Sequence, residues 1–243
     1  MKRALLLNLG LRDYLSVWEL QRSLVMAKSD RIIDNDLFLI LEHNPVFTIG
    51  KRGSSNHILV SSTFLSSKNI PIYRIERGGD ITYHGPGQLI CYPIIDIKRA
   101  HLGVREFVDA LEEVMIYVAA TYGIYPHRNP LGRGIWLGDR KLGSIGIAIK
   151  AGISFHGFAL NVNNSLEPFS WIDPCGLKGI RMTSIREALG REVEMDEVYK
   201  VTKIALEEIF NISLKEIHLD RLKERLGKVR GNSGNFKASF LAK

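Results

Sequence analysis

The 243 residues contain only two cysteines and no apolar run approaching the ~20 residues that cross a bilayer, which removes disulfide-built and membrane-spanning proteins together. The cysteines, Cys91 in LICYPII and Cys175 in IDPCGLKG, sit in such different surroundings that two free thiols in a reducing compartment are expected. The opening MKRALLLNLG carries basic residues, but its apolar run is too short for a secretory signal. Internal repeats, a phosphate-loop pattern and any linker before Gly227 are also lacking. The expectation is a soluble cytoplasmic protein whose residues 1–226 form one domain, followed by a basic tail at 227–243. A hydrophobic content of 45% is ample for a buried core.

The formal net charge is +7, and four of the basic residues (Lys228, Arg230, Lys237, Lys243) fall in a tail with no acidic residue. The body is therefore only mildly basic. That suits an acidic protein partner as well as a polyanion, and equally suits a solvated tail with no partner.

Apolar patterning predicts a strand over Arg3–Leu9 and a helix marked by Tyr14, Val17, Trp18, Gln21, Leu24 and Val25. Strands follow over Asp36–Glu42 and Val46–Ile49, joined by a turn at Asn44 and Pro45. Further strands are expected at Ile72–Ile75, Leu89–Ile97 and Ser154–Asn161, with a hairpin turning at Gly138 and Asp139. Helices are expected over Val104–Tyr122 with Gly123 as the stop, after Ser184 and Glu187 as a capping box, and over Asp196–Phe210 and Leu219–Leu226. Hairpins mixed with helices, without regular alternation, indicate an α+β fold.

Three glycine-rich stretches stand apart from this core pattern. Arg77–Gln88 reads RGGDITYHGPGQ, a composition suited to a binding wall built largely of main chain at the end of a sheet. GDRKLGSIGIAIK contributes Lys141, and FHGFALNVNNSLEPFSWIDPCG contributes Cys175 between a proline and a glycine. That placement displays a thiol on a tight turn beside N–H groups free to hold an oxyanion; the alternative is a packed core cysteine, the reading preferred for Cys91. A thiol of pKa about 8.5 needs activation at neutral pH. A lysine cation about 4 Å away at an effective dielectric of about 20 supplies roughly 4 kcal/mol, against about 1.4 kcal/mol per pKa unit. Lys141 beside Arg140 also fits a solvated turn lysine. His84 and His156, each preceding a glycine, fit either a general base or a backbone hydrogen-bond partner.

RGGDITYHGPGQ, RKLGSIGI, FHGFALNV and PCG, in that order across roughly Leu37–Leu189, resemble the octanoyl-[acyl-carrier-protein]:protein N-octanoyltransferases, the LipB family of lipoate biosynthesis. The resemblance implies a mixed sheet with flanking helices similar to the biotin and lipoate protein ligase catalytic domain. It implies Cys175 as acyl-accepting nucleophile and Lys141 as its activating partner. Substrate-binding positions would be Arg77, Gly78, Gly79, Asp80, Ile81, Thr82, Tyr83 and His84, then Ser144, Ile145 and Gly146, then Gly157, Phe158 and Ala159. It further implies octanoyl acyl carrier protein as donor, lipoyl domains of 2-oxoacid dehydrogenases and the glycine-cleavage H protein as acceptors, and no cofactor, metal, nucleic acid or membrane. The competing readings are an ATP-dependent lipoate or biotin ligase, a cysteine hydrolase or thioesterase using His84 or His156, and a noncatalytic nucleic-acid-binding protein. The basic tail lies outside the resemblance.

Overall fold

A computed structural model describes residues 2–174 and 179–228. Residues 175–178, with the expected nucleophile Cys175, and the tail from 229 lie outside the described residues. Among the described residues the main sheet has nine strands: β1 (Lys2–Arg12), β2 (Leu37–His43), β6 (Gln88–Ile94), β7 (His127–Asn129), β8 (Gly132–Leu137), β9 (Arg140–Lys150), β10 (Ile153–Asn161), β11 (Arg181–Met182) and β12 (Ile212–Glu216). Their order is β12-β1-β2-β6-β10-β9-β8-β7, with β11 added beside β9. The β12/β1, β1/β2 and β11/β9 pairs are parallel and the rest antiparallel, so the sheet is mixed, as expected.

The central strands are near-continuous apolar runs, LFLIL in β2 and LICYPI in β6, because both sheet faces are covered. Side chains alternate between the faces. Leu6, Phe38, Ile40, Leu89, Cys91, Phe158 and Leu160 pack toward α3 (Val104–Ala120) and α5 (Met195–Phe210). Leu5, Leu7, Leu37, Leu39, Ile90, Tyr92 and Ala159 pack toward α1 (Tyr14–Ser29) and Leu222 of α6 (Leu219–Lys228). Asp13 caps α1 by accepting from the Ser16 N–H. Gly123 ends the α3 region in the left-handed conformation expected of a stop. Ser184 caps α4 (Ile185–Leu189) from its hydroxyl, but Glu187 closes no box; its carboxylate instead accepts from Thr183 Oγ1 and Arg140.

The structure departs from the sequence pattern in one consequential place. β3 (Val46–Ile49) does not fold back on β2; it lies between β4 (Ile72–Arg74) and β5 (Ile81–His84) in a separate three-stranded sheet. β5 is the middle of the glycine-rich segment, so that stretch is not loop throughout. Ile81 and Tyr83 have a core of their own, shared with Phe47, Ile49, Leu65, Phe169 and Ile172. The short helix α2 (Ser62–Ser67) and strands β7 and β12 were not anticipated either: each is short, and β7, with the sequence HRN, has no apolar period to read.

Candidate active site

The two sheets meet at β9 and β10, where Gly146 and Gly157 are cross-strand partners. A side chain at Gly157 would collide with the Cys91 carbonyl of neighbouring β6 and come within 2.8 Å of Pro93 Cδ; at Gly146 it would lie 2.9 Å from Arg77 Cδ. Gly146 thus lets the RGGD turn settle onto bare backbone of β9, and Gly157 leaves room for neighbouring β6. Gly78 N–H donates to the Ile147 carbonyl at 2.8 Å and fastens the RGGD turn to β9. The Arg77 guanidinium, buried, donates to Thr48 O at 2.6 Å, Thr48 Oγ1 at 2.8 Å and Gly78 O at 3.0 Å, tying the turn to β3.

The resulting cleft is lined by Arg77, Gly79, Asp80, Ile81, Thr82 and His84 from the first stretch, Ser144, Ile145 and Gly146 from the second, and Gly157, Phe158 and Ala159 from the third. Three segments drawn from β5 and its preceding turn, β9 and β10 thus form one wall. Two of the expected positions do not line it. Gly78 is occupied in the turn, and Tyr83 points the other way, against Phe47 and Phe169 at ring-centroid distances of 5.3 and 5.6 Å.

Tyr14, Tyr92 and His156 complete the lining. Only His156 was singled out from sequence; Tyr14 and Tyr92 are spaced like core residues and carry no local sign of a site. His156 has φ of +55°, its N–H donates to Gln21 Oε1 at 2.7 Å, and its Nε2 lies 3.6 Å from Glu76 Oε2. His43, His84 and His156 are all buried. Burial pulls the His43 pKa down to about 4 against a weaker upward pull from the Arg12 carbonyl. His84 falls to about 3 through burial and then the neighbouring His43, and His156 is lowered by burial despite Glu76. Glu76 is held down at about 2, chiefly by the neighbouring His156 ring. The cleft is therefore lined by neutral imidazoles at neutral pH.

Lys141 is not the turn lysine that its neighbour Arg140 suggested. The turn is at Gly138 and Asp139, and Lys141, second residue of β9, is 2% exposed. Its Nζ lies 5.3 Å from the Trp136 ring centroid, a cation–π distance. A side chain at Gly134 would come within 3.1 Å of Lys141 Cε, so the glycines of β8 leave the channel its stem occupies. β10 pairs with β9 as far as Leu160 and Gly143; beyond that point β11 takes over, pairing Met182 with Lys141. Both flanks of the segment carrying Cys175 are anchored here. Upstream, Asp173 N–H donates to the His57 carbonyl at 2.8 Å, and His57 Nδ1 lies 2.6 Å from Asp80 Oδ2 on the cleft wall. Downstream, Met182 is seven residues after Cys175. Cys91 is fully buried and burial pushes its thiol pKa well up, which suits a core residue.

Residues 13–207 match the family described as the lipoyl protein ligase A/B catalytic domain. The chain is 47% identical to the octanoyltransferase of Desulfotalea psychrophila, over 80% of this chain and 88% of that one. It is 40% identical to the octanoyltransferase of Syntrophobacter fumaroxidans, over 93% and 99%. Among solved structures it resembles lipoate-protein ligase A bound with ATP, at TM-score 0.71 and 15% identity over 96% of each chain. A bipartite lipoate protein ligase from Thermoplasma acidophilum superposes at TM-score 0.68 and 16% identity, over 98% of this chain and 95% of that one. These structural likenesses establish a shared fold, and the sequence identities go further: the chain belongs to the lipoyl protein ligase A/B catalytic domain family, within its octanoyltransferases.

Proposed function

We propose that this protein transfers an octanoyl group, in lipoate biosynthesis in the cytoplasm, from octanoyl acyl carrier protein through a thioester on Cys175 to a lysine amine of a lipoyl domain. The Cys175 thiolate attacks the donor thioester carbonyl, a new C–S bond forms, and the carrier departs as its thiolate. The acceptor amine then attacks the octanoyl-enzyme, the C–N bond forms, the bond to Cys175 breaks, and the amine sheds a proton. Exchanging a thioester for an amide is downhill, so no nucleotide is consumed. Lys141 favours the thiolate by its charge in the first step and relays the proton in the second.

The observation that carries this reading is the anchoring of both flanks of Cys175, at Asp173 through His57 to Asp80 of the cleft and at β11 against Lys141. The names of the relatives agree with it. Acyl carrier protein and lipoyl domains are acidic in this family, and a mildly basic body suits electrostatically steered encounter with either. No helix among the described residues is long and apolar enough to cross a membrane.

The test is octanoyl carrier protein mixed with enzyme and an apo lipoyl domain, without nucleotide, followed by mass spectrometry. An octanoyl adduct on Cys175, chased to amide by the lipoyl domain and abolished in Cys175→Ser, is expected. Amide formation that stops when ATP is withheld would favour an adenylating ligase. Release of free octanoate at a rate indifferent to the acceptor would favour a thioesterase.

A further inference from the structure

A chain of buried amides runs from the cleft to the strand beside Lys141, and its polarity is fixed from one end. Thr183 N–H donates to the Lys141 carbonyl at 3.0 Å, and the Thr183 carbonyl faces Asn161 at 3.0 Å. A carbonyl only accepts, so the Asn161 amide must present its nitrogen there and its oxygen to the other side. That oxygen receives Gln88 Nε2 at 2.9 Å and Asn164 Nδ2 at 3.2 Å. With its nitrogen spent on Asn161 Oδ1 and the Tyr83 carbonyl, Gln88 turns its Oε1 to His84 Nδ1 at 2.8 Å. The nitrogen facing an amide oxygen carries the proton. Gln88, Asn161 and Asn164 are each 1% exposed, so water has no access to reverse the order.

We propose that Gln88 and Asn161 are positioning residues that hold His84 as its Nδ1–H tautomer, so that Nε2 meets the substrate as a hydrogen-bond acceptor and selects a donor, the attacking primary amine, over an acyl carbonyl oxygen. This rests on the octanoyl-transfer reading for the identity of the donor, but the tautomer itself does not. His84 lines the cleft and its Nε2 has no protein partner among the described residues. Its surroundings keep the ring neutral: it is buried, with Tyr14 stacked on it at 6.1 Å between centroids, His43 stands 5.9 Å away, and the Arg77 charge and the His156 ring add to the opposition. A lone pair offered into a cleft whose lining arginine, Arg77, donates to Thr48 is suited to an N–H and repels a carbonyl.

The test has two readouts. In enzyme labelled with 15N-histidine, a long-range proton–nitrogen correlation of wild type is expected to show His84 with Nδ1 protonated and Nε2 bare, unchanged from about pH 7 to pH 5; a protonated Nε2 would overturn the proposal whether or not the protein transfers octanoyl groups. In single-turnover experiments Gln88→Met, which removes the acceptor facing Nδ1, is expected to slow amide formation from preformed octanoyl-enzyme about tenfold, the value of roughly one hydrogen bond, while acylation of Cys175 changes less than about twofold. Equal losses in both steps would reduce Gln88 to a packing residue and sink the idea. A wild-type enzyme that forms no octanoyl adduct at all would refute the transfer reading, and with it the amine as ligand, leaving the nitrogen spectrum to decide the tautomer.

Discussion

Lys141 and Gly157 show how single residues set the site. The lysine stem runs between the Trp136 ring and the glycines of β8, so Lys141→Met fills the same channel without the charge. Acylation of Cys175 by octanoyl carrier protein should then fall on the order of 10²–10⁴-fold, the usual worth of a positioned acid–base group, with the far-ultraviolet circular dichroism unchanged. Acylation at the wild-type rate would remove Lys141 from the mechanism. Gly157→Ala acts differently, because the new methyl meets the Cys91 carbonyl and Pro93, backbone that cannot move without breaking the β6/β10 ladder. It should destabilise by about 1–3 kcal/mol in urea titrations, as overpacking does. Wild-type stability would mean that β6 and β10 lie further apart than described.

Among the elements, α3 does the most to hold β8 and β9 in place. Its Phe107, Leu111, Val114, Met115 and Val118 stripe packs on the sheet at helical spacing, and its buried Glu112 accepts from the Gly134 N–H at 2.8 Å and from Arg128 at 3.0 Å. The helix is thus bonded to the strand that makes room for Lys141. Leu111 is fully buried, and Leu111→Ala leaves a cavity costing about 2–5 kcal/mol, readable as a lower urea midpoint at unchanged slope. A loss below about 1 kcal/mol would contradict the packing.

For the whole molecule, the neutral buried histidines make stability depend on pH in a stated direction. His43 and His84 titrate near their ordinary 6.5 when unfolded but at about 4 and about 3 when folded. Between those values the unfolded chain binds more protons, so stability is full above pH 6.5, declines as pH falls toward 4 and 3, and reaches its minimum contribution below both. Each histidine contributes a slope of up to about 1.4 kcal/mol per pH unit in that window. Glu76 acts in the same direction over a lower, overlapping range: its carboxylate, depressed to about 2, keeps its small and partly solvent-screened contribution until the pH falls below its unfolded value near 4.5. Urea titrations at about pH 7 and pH 5 should differ by more than 1 kcal/mol; a flat profile would mean that these rings are hydrated or already charged.

The residue pattern by itself determined the helices α1, α3 and α5, the central strands β2, β6 and β10, and the three glycine-rich stretches, because periodicity, caps and stops act over a few residues. The resemblance of its motifs to a known family placed Arg77, His84, Ser144 and Phe158 among the candidates for one site, and all four line one cleft. Only the tertiary structure decided that Ile81–His84 is a strand of a second sheet, that Tyr83 faces away, and that Tyr14 and Tyr92 join the lining. Only it decided that Lys141 is buried against Trp136, and that Gln88 reaches Asn161 across 73 positions. The physical reason is range: a hydrophobic period records which way a side chain points within its own element, whereas burial of a charge and the polarity of an amide chain are set by partners the sequence separates and the sheet brings within 3 Å.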